Sequence, residues 1–233
     1  SSRADSLPLT GPLLEALLDR LKPDRVVFSS WGLREGLLFD RLPYEQQAQD
    51  PLLAGISVFA NMRGCPPTLA ARVAGWTVDA MPPGWPGSER VRLAATSLAL
   101  ASMQVEPNLR IGLGIDWALQ KRWIGVTGEE RALLAAAIAA NGNQCTLPVQ
   151  VTSLARKERL EAAICWGLAI RLCRRLGGRS RASLQATRLT VEGNMLVLHI
   201  DQARASLFGP PNEKDFALLA GRMGLKSELR LVR

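Results

Sequence analysis

The sequence predicts a mainly α protein with a short α/β segment at its N-terminus and a small ββαβ unit at its C-terminus. Three observations predict it. From residue 46 to about residue 182, apolar residues recur at helical spacing in segments punctuated by proline and glycine. A single helix–strand–helix unit precedes that stretch, and two apolar runs around a glycine turn follow it. The chain therefore divides at 1–45, 46–186 and 187–233.

Composition excludes several classes. The 233 residues carry 29 Lys+Arg against 21 Asp+Glu, a formal net charge of +8, and 47% hydrophobic residues. That is too apolar and too modestly charged for a disordered chain. Four cysteines do not make a disulfide scaffold. The longest membrane-span candidate, Leu93 to Val105, is interrupted by Thr96, Ser97, Ser102 and Gln104. The start Ser1-Ser2-Arg3-Ala4-Asp5 is not a secretory signal, so a cytoplasmic protein is expected. A sequence pI of about 10.0 favours polyanions as partners: nucleic acid, polyphosphate, nucleotides or anionic lipid.

The elements follow in order. Thr10 caps a helix with Pro12 in its first turn and Leu13, Leu14, Leu17, Leu18 and Leu21 along one face. Pro23 ends it, Arg25 to Ser30 reads as a buried strand, and a second helix runs from Leu33 to Leu42. Asp50 caps a helix opening on Pro51. The next runs from Thr68 to Met81, with Pro82-Pro83-Gly84 behind it, and Ser88 caps one from Glu89 to about Val105. Asn108 to Trp123 is a weaker helix, since Gly112 and Gly114 cost about 1 kcal/mol each. Thr127 and Glu130 form a capping box for a helix ending at Asn141-Gly142. Ala155 to Leu176 is the longest helix and closes on Gly177-Gly178. Arg188 to Val191 and Met195 to Ile200 form a hairpin, Asn212 to Met223 a helix, and Ser227 to Val232 a third strand.

Most familiar chemistry is missing from the pattern. His199 is the only histidine and sits in a strand, where a structural role is expected. Cys65 and Cys145 lack CxxC partners, and Cys165 and Cys173 point roughly 80° apart on one helix, so no metal site is expected. Gly112-Leu113-Gly114 lacks a third glycine in register and a leading strand, and reads as a loop or loosened helix. Asp79, Asp116, Glu158 and Glu161 are scattered. No catalytic residue is identified. Trp76, Trp117, Trp123 and Trp166 fall on apolar helix faces as core anchors.

The arginine distribution is more informative. Arg171, Arg174, Arg175, Arg179, Arg181 and Arg188 occur within 18 residues that contain no acid. The first three share a helix face, and planar guanidinium groups suit phosphate. These six form the expected polyanion-binding surface. The other reading is a solvated helix end whose charge complements the dipole.

Residues 25–40, Arg25-Val26-Val27-Phe28-Ser29-Ser30-Trp31-Gly32-Leu33-Arg34-Glu35-Gly36-Leu37-Leu38-Phe39-Asp40, resemble the end of the second actin-like domain of the exopolyphosphatase / guanosine pentaphosphate phosphohydrolase (Ppx/GppA) family. Gly32, Leu33, Arg34, Glu35 and Gly36 are the motif positions present. The later order, an all-α domain followed by a small α/β unit, is similar to that family in architecture. The resemblance implies a remnant of an actin-like (ribonuclease H-like) domain at 1–45, an HD-like helical domain at 46–186, and a C-terminal unit at 187–233. It further implies that the parent hydrolase removes terminal phosphates from polyphosphate, and from pppGpp, with Mg²⁺. This chain lacks the Gly-rich phosphate loops that carry such catalysis. Leu98 to Pro107, where members carry His and Asp, contains neither, which removes an HD metal site. The missing initiator Met fits a catalytic half lying upstream. The chain is thus expected to be a non-catalytic, homodimeric region that guides a polyanion. A nucleic-acid-binding module and a scaffold or dimerisation domain are the alternatives.

Overall fold

The computed structural model describes residues 7–27, 31–81 and 88–232, and divides the chain into two compact units, 1–48 and 49–233. The protein is mainly helical, with a small mixed sheet near the C-terminus.

The first unit holds α1 (Leu7–Leu21), α2 (Leu33–Phe39) and α3 (Tyr44–Gln47). Helix α1 starts before Thr10, which therefore lies in its first turn and not at its cap. Residues 25–27 carry no strand, and the rest of the expected strand lies outside the described residues. Helix α2 begins where expected, because Glu35 Oε2 accepts a 2.8 Å hydrogen bond from the Gly32 amide and satisfies an open helix end. No described side chain of this unit is buried, although Leu13 and Leu21 are apolar and 61% and 70% exposed.

The second unit is built around two helices. They are preceded by α4 (Pro51–Asn61), α5 (Pro67–Trp76), α6 (Glu89–Ala101) and α7 (Arg110–Gln120). Asp50 caps α4 by accepting from the Leu53 amide at 2.9 Å. Helix α5 stops at Trp76, five residues before the expected end, and a 3-10 turn covers Val78–Ala80. The Pro82-Pro83-Gly84 stop lies outside the described residues. Ser88 occupies the N-cap of α6 without using its side chain.

The central pair is α8 (Gly128–Asn141) and α10 (Lys157–Arg175), with the short α9 (Val149–Thr152) between them in sequence. Both halves of the α8 capping box form, Thr127 N to Glu130 Oε2 at 2.8 Å and Glu130 N to Thr127 Oγ1 at 3.1 Å. Residues Ala132 to Asn141 of α8 are all buried. Alanines and glycines let its neighbours come close. A Cβ on Gly167 of α10 would lie 2.2 Å from the Ala137 carbonyl oxygen. One on Gly114 of α7 would lie 2.4 Å from Ile138 Cγ2. Gly114 therefore costs helix propensity locally and returns it as close packing.

Beyond α10, α11 (Arg181–Gln185) leads into β1 (Thr187–Glu192) and β2 (Met195–Asp201); α12 (Pro210–Arg222) then leads into β3 (Lys226–Val232). The sheet order is β1-β2-β3, with β1–β2 antiparallel and β2–β3 parallel. Period-two alternation gives the sheet two unlike faces. Leu189, Leu196, Leu198 and Ile200 face inward and join one hydrophobic core with α5, α6, α8, α10 and α12. Arg188, Thr190, Glu192, His199, Glu228 and Arg230 face outward.

Candidate polyanion-binding site

The arginine run begins in the last turn of α10, where cations complement the helix dipole. The expected i, i+3, i+4 face of Arg171, Arg174 and Arg175 forms and turns toward α12. Arg171 Nε donates to Asp215 Oδ1 at 2.9 Å, and its Nη1 to the Asn141 carbonyl at 3.3 Å. Arg175 Nη1 donates to the other Asp215 oxygen at 3.2 Å. One buried carboxylate thus receives one guanidinium on each oxygen.

Charge at this place does not balance. Burial pushes the Arg174 guanidinium down to about 10, and Arg171, Arg110 and Arg175 add to that, while Asp215 alone opposes it. The buried Nε of Arg174 has no hydrogen-bond partner, nor does Asn141 Oδ1. Arg110, from α7, is held by the carbonyls of Ser102, Met103 and Val105. Four guanidinium groups therefore share the field of one carboxylate. Arg171, Arg175 and Asp215 line an open pocket of about 450 Å³ with Lys214, Asn143 and Pro210. Arg171 Nη2, Arg175 Nε and Nη2, and Lys214 Nζ have no protein partner among the described residues. Such donors, already held in place, are what a phosphate oxygen needs.

The second half of the run goes elsewhere. Arg188, on β1, pairs with Asp79 at 2.9 Å. Arg179 is exposed in the turn after α10. Arg181 lines a second open pocket of about 450 Å³ with Arg72, Trp76, Leu184 and Gln185. The Trp76 indole is pinned there by two 3.1 Å bonds from Nε1 to the carbonyl and hydroxyl of Thr187. Of the four tryptophans read as core anchors, Trp166 is buried, and Trp76, Trp117 and Trp123 are half-buried against the core. The structure adds that Trp76 also stands beside two exposed arginines, so the basic surface does include an aromatic. Arg72 and Trp76 are far from Arg181 in sequence, and no local spacing signals the grouping.

Other expected positions resolve simply. His199 Nε2 meets Thr190 Oγ1 and Glu192 Oε1, each at 3.1 Å. Both contacts use the same ring nitrogen, so the trio cannot relay a proton as a nucleophile–base–acid arrangement does. The hydrogen bond from Arg230 is the main cause holding the Glu192 carboxyl below the usual range. Gly112 and Gly114 lie within α7, not in a phosphate loop. In the motif 32–36, Glu35 serves the start of α2, while Leu33, Arg34 and Gly36 are exposed. All four cysteines are free, and burial raises the thiols of Cys65, Cys145, Cys165 and Cys173. Among the described residues no three His, Cys, Asp or Glu side chains stand together as a metal site. None of the described helices is long and apolar enough to cross a membrane.

Asp215 is the residue of the candidate site that the sequence reading missed. It was detectable: Asn212, Asp215, Phe216, Leu219 and Ala220 form the buried stripe of α12. An acid on such a stripe requires a cationic partner.

No protein-family model matches the chain, and no curated protein is significantly similar to it.

Proposed function

We propose that the chain is a non-catalytic, polyanion-binding region of an exopolyphosphatase-type phosphohydrolase. The observation that carries the binding part is the charge excess around Asp215: Arg171, Arg175 and Lys214 line one open pocket with it, and Arg174 and Arg110 share the same field. Asp215 holds two guanidinium groups in place, and their free edges with Lys214 receive successive phosphates. Each phosphate bound releases counterions, so affinity falls with salt. The parent assignment rests on the residues 25–40 and on the element order. In it, the first unit ends an actin-like domain and the helices form an HD-like domain. The exposed leucines of α1 support this, because a unit in which no described side chain is buried fits as part of a larger one. The Mg²⁺ and activated water of the parent reaction belong to domains outside this chain, and a cytoplasmic location follows from the same reading.

Binding of long-chain polyphosphate, followed by calorimetry, tests the proposal. Tight, salt-sensitive binding that weakens in Arg175→Gln/Lys214→Gln is the expected result, with no phosphate release in Mg²⁺. Absence of binding at low salt refutes it. Nucleic-acid binding is the second reading, favoured by Trp76 between Arg72 and Arg181, since stacking on an aromatic beside free cations suits single strands. Competition separates the two: polyphosphate should displace an oligonucleotide efficiently, whereas the second reading requires the reverse.

A further inference from the structure

The three-stranded sheet ends at β3. Strand β3 pairs with β2 on one side only. Its other side presents open backbone donors and acceptors over seven residues. Leu229 and Leu231 lie on the core-facing side of the sheet yet remain 41% and 52% exposed, because the core ends beneath this edge. Proteins usually blunt such an edge with a bulge, a proline, an inward charge or charged side chains along the strand. Here the strand is regular, without proline, and its charges alternate onto the outer face.

We infer that β3 is a homodimer interface, pairing antiparallel with β3 of a second copy across a two-fold axis at Leu229. The register follows from the side chains. A two-fold axis perpendicular to the sheet keeps the apolar faces of both copies on the same side, and it must pass through a residue. Centred on Glu228, it sets Glu228 against itself and Lys226 against Arg230. Centred on Arg230, it sets Arg230 against itself. Centred on Leu229, it sets each Glu228 directly opposite Arg230 of the other copy, Leu229 against Leu229, and Leu231 against Ser227. The last register pairs all seven residues of the strand, sets no like charges opposite each other and covers both exposed leucines. Glu228 and Arg230 are already ordered for it, since Arg230 Nε and Nη1 hold Glu228 and Glu192 at 2.5 and 2.6 Å on the outer face. The two three-stranded sheets then run on as one, with both helical layers on the same side. The inference is independent of polyanion binding.

Sedimentation of the full chain tests it through charge reversal. The wild type should dimerise. Glu228→Arg and Arg230→Glu should each self-associate at least about tenfold more weakly, because two facing pairs become repulsive. Mixing the two single variants should restore dimers, since arginines of one copy then face glutamates of the other at both pairs. Circular dichroism must show both variants folded; should either unfold, Leu231→Lys, which alters no ion pair, replaces it and should also give monomers. A wild type that stays monomeric at its highest soluble concentration overturns the inference. A dimer indifferent to these substitutions overturns it too, and points to another surface such as the exposed leucines of α1.

Discussion

Asp215→Asn should have two opposite effects that ordinary destabilisation would not produce together. The Asp215 side chain is 7% exposed and accepts from Arg171 and Arg175, which are 15% and 32% exposed. Removing one partner of a buried ion pair costs about 3–5 kcal/mol. Asparagine keeps one acceptor oxygen, and Arg175 is partly solvated, so the expected loss is about 2–3 kcal/mol. In a unit of this size that lowers Tm by about 4–12 °C. The same substitution deletes the one acid among Arg110, Arg171, Arg174, Arg175 and Lys214. Polyphosphate affinity at low salt should therefore rise, and its logarithmic salt slope should steepen by up to about one. Urea denaturation and calorimetric titration over a salt series read the two effects separately. A stability loss below about 1 kcal/mol refutes the account of Asp215 as the carboxylate that holds the arginines; an affinity that falls refutes the account of its charge as the dominant effect on binding, and shows that positioning outweighs it.

Three other outcomes follow from the structure. Gly167→Ala should destabilise by about 1–3 kcal/mol or more, because its Cβ would meet the Ala137 carbonyl at 2.2 Å, whereas Gly112→Ala, with nothing within 4 Å, should be neutral or stabilising; thermal melting compares them. Thr127→Ala should cost about 1 kcal/mol by leaving the Glu130 amide without its cap, measured by urea denaturation. Burial raises Cys65 to about 11 and Cys165 to about 12 from an ordinary 9.0, so the stability they confer is complete below pH 9 and is lost as pH rises through those values. Serine at both positions should flatten that alkaline loss in a pH series of melts.

What the sequence shows well is what it settles locally. Asp50 before Pro51, and Thr127 three residues ahead of Glu130, satisfy helix ends from neighbours in the chain, and both caps form as expected. Helix α7 looked weak for an equally local reason, since two glycines lower propensity; the compensating contact of Gly114 with Ile138 belongs to another helix. The arginine run shows the same limit. Its density is visible in the sequence, but its partners, Asp215 and Asp79, lie 44 and 109 positions away. Those acids hold Arg171 and Arg175 and pair Arg188, while Arg181 joins Arg72 and Trp76 at a different pocket.

The core and the candidate site are mechanically continuous. The absence of a side chain at Gly167 brings α10 against the Ala137 backbone of α8. That approach sets how closely α10 lies against α8, and the carbonyl of Asn141, the last residue of α8, accepts from Arg171. Arg171 in turn fixes Asp215 on α12, and α12 leads into β3. A core change at Gly167 should therefore lower polyphosphate affinity as well as stability, although it touches no charge. A loss confined to stability, with affinity unchanged well below the melting transition, would mean that the α12 contacts alone hold the arginines and that the α8–α10 packing does not position them.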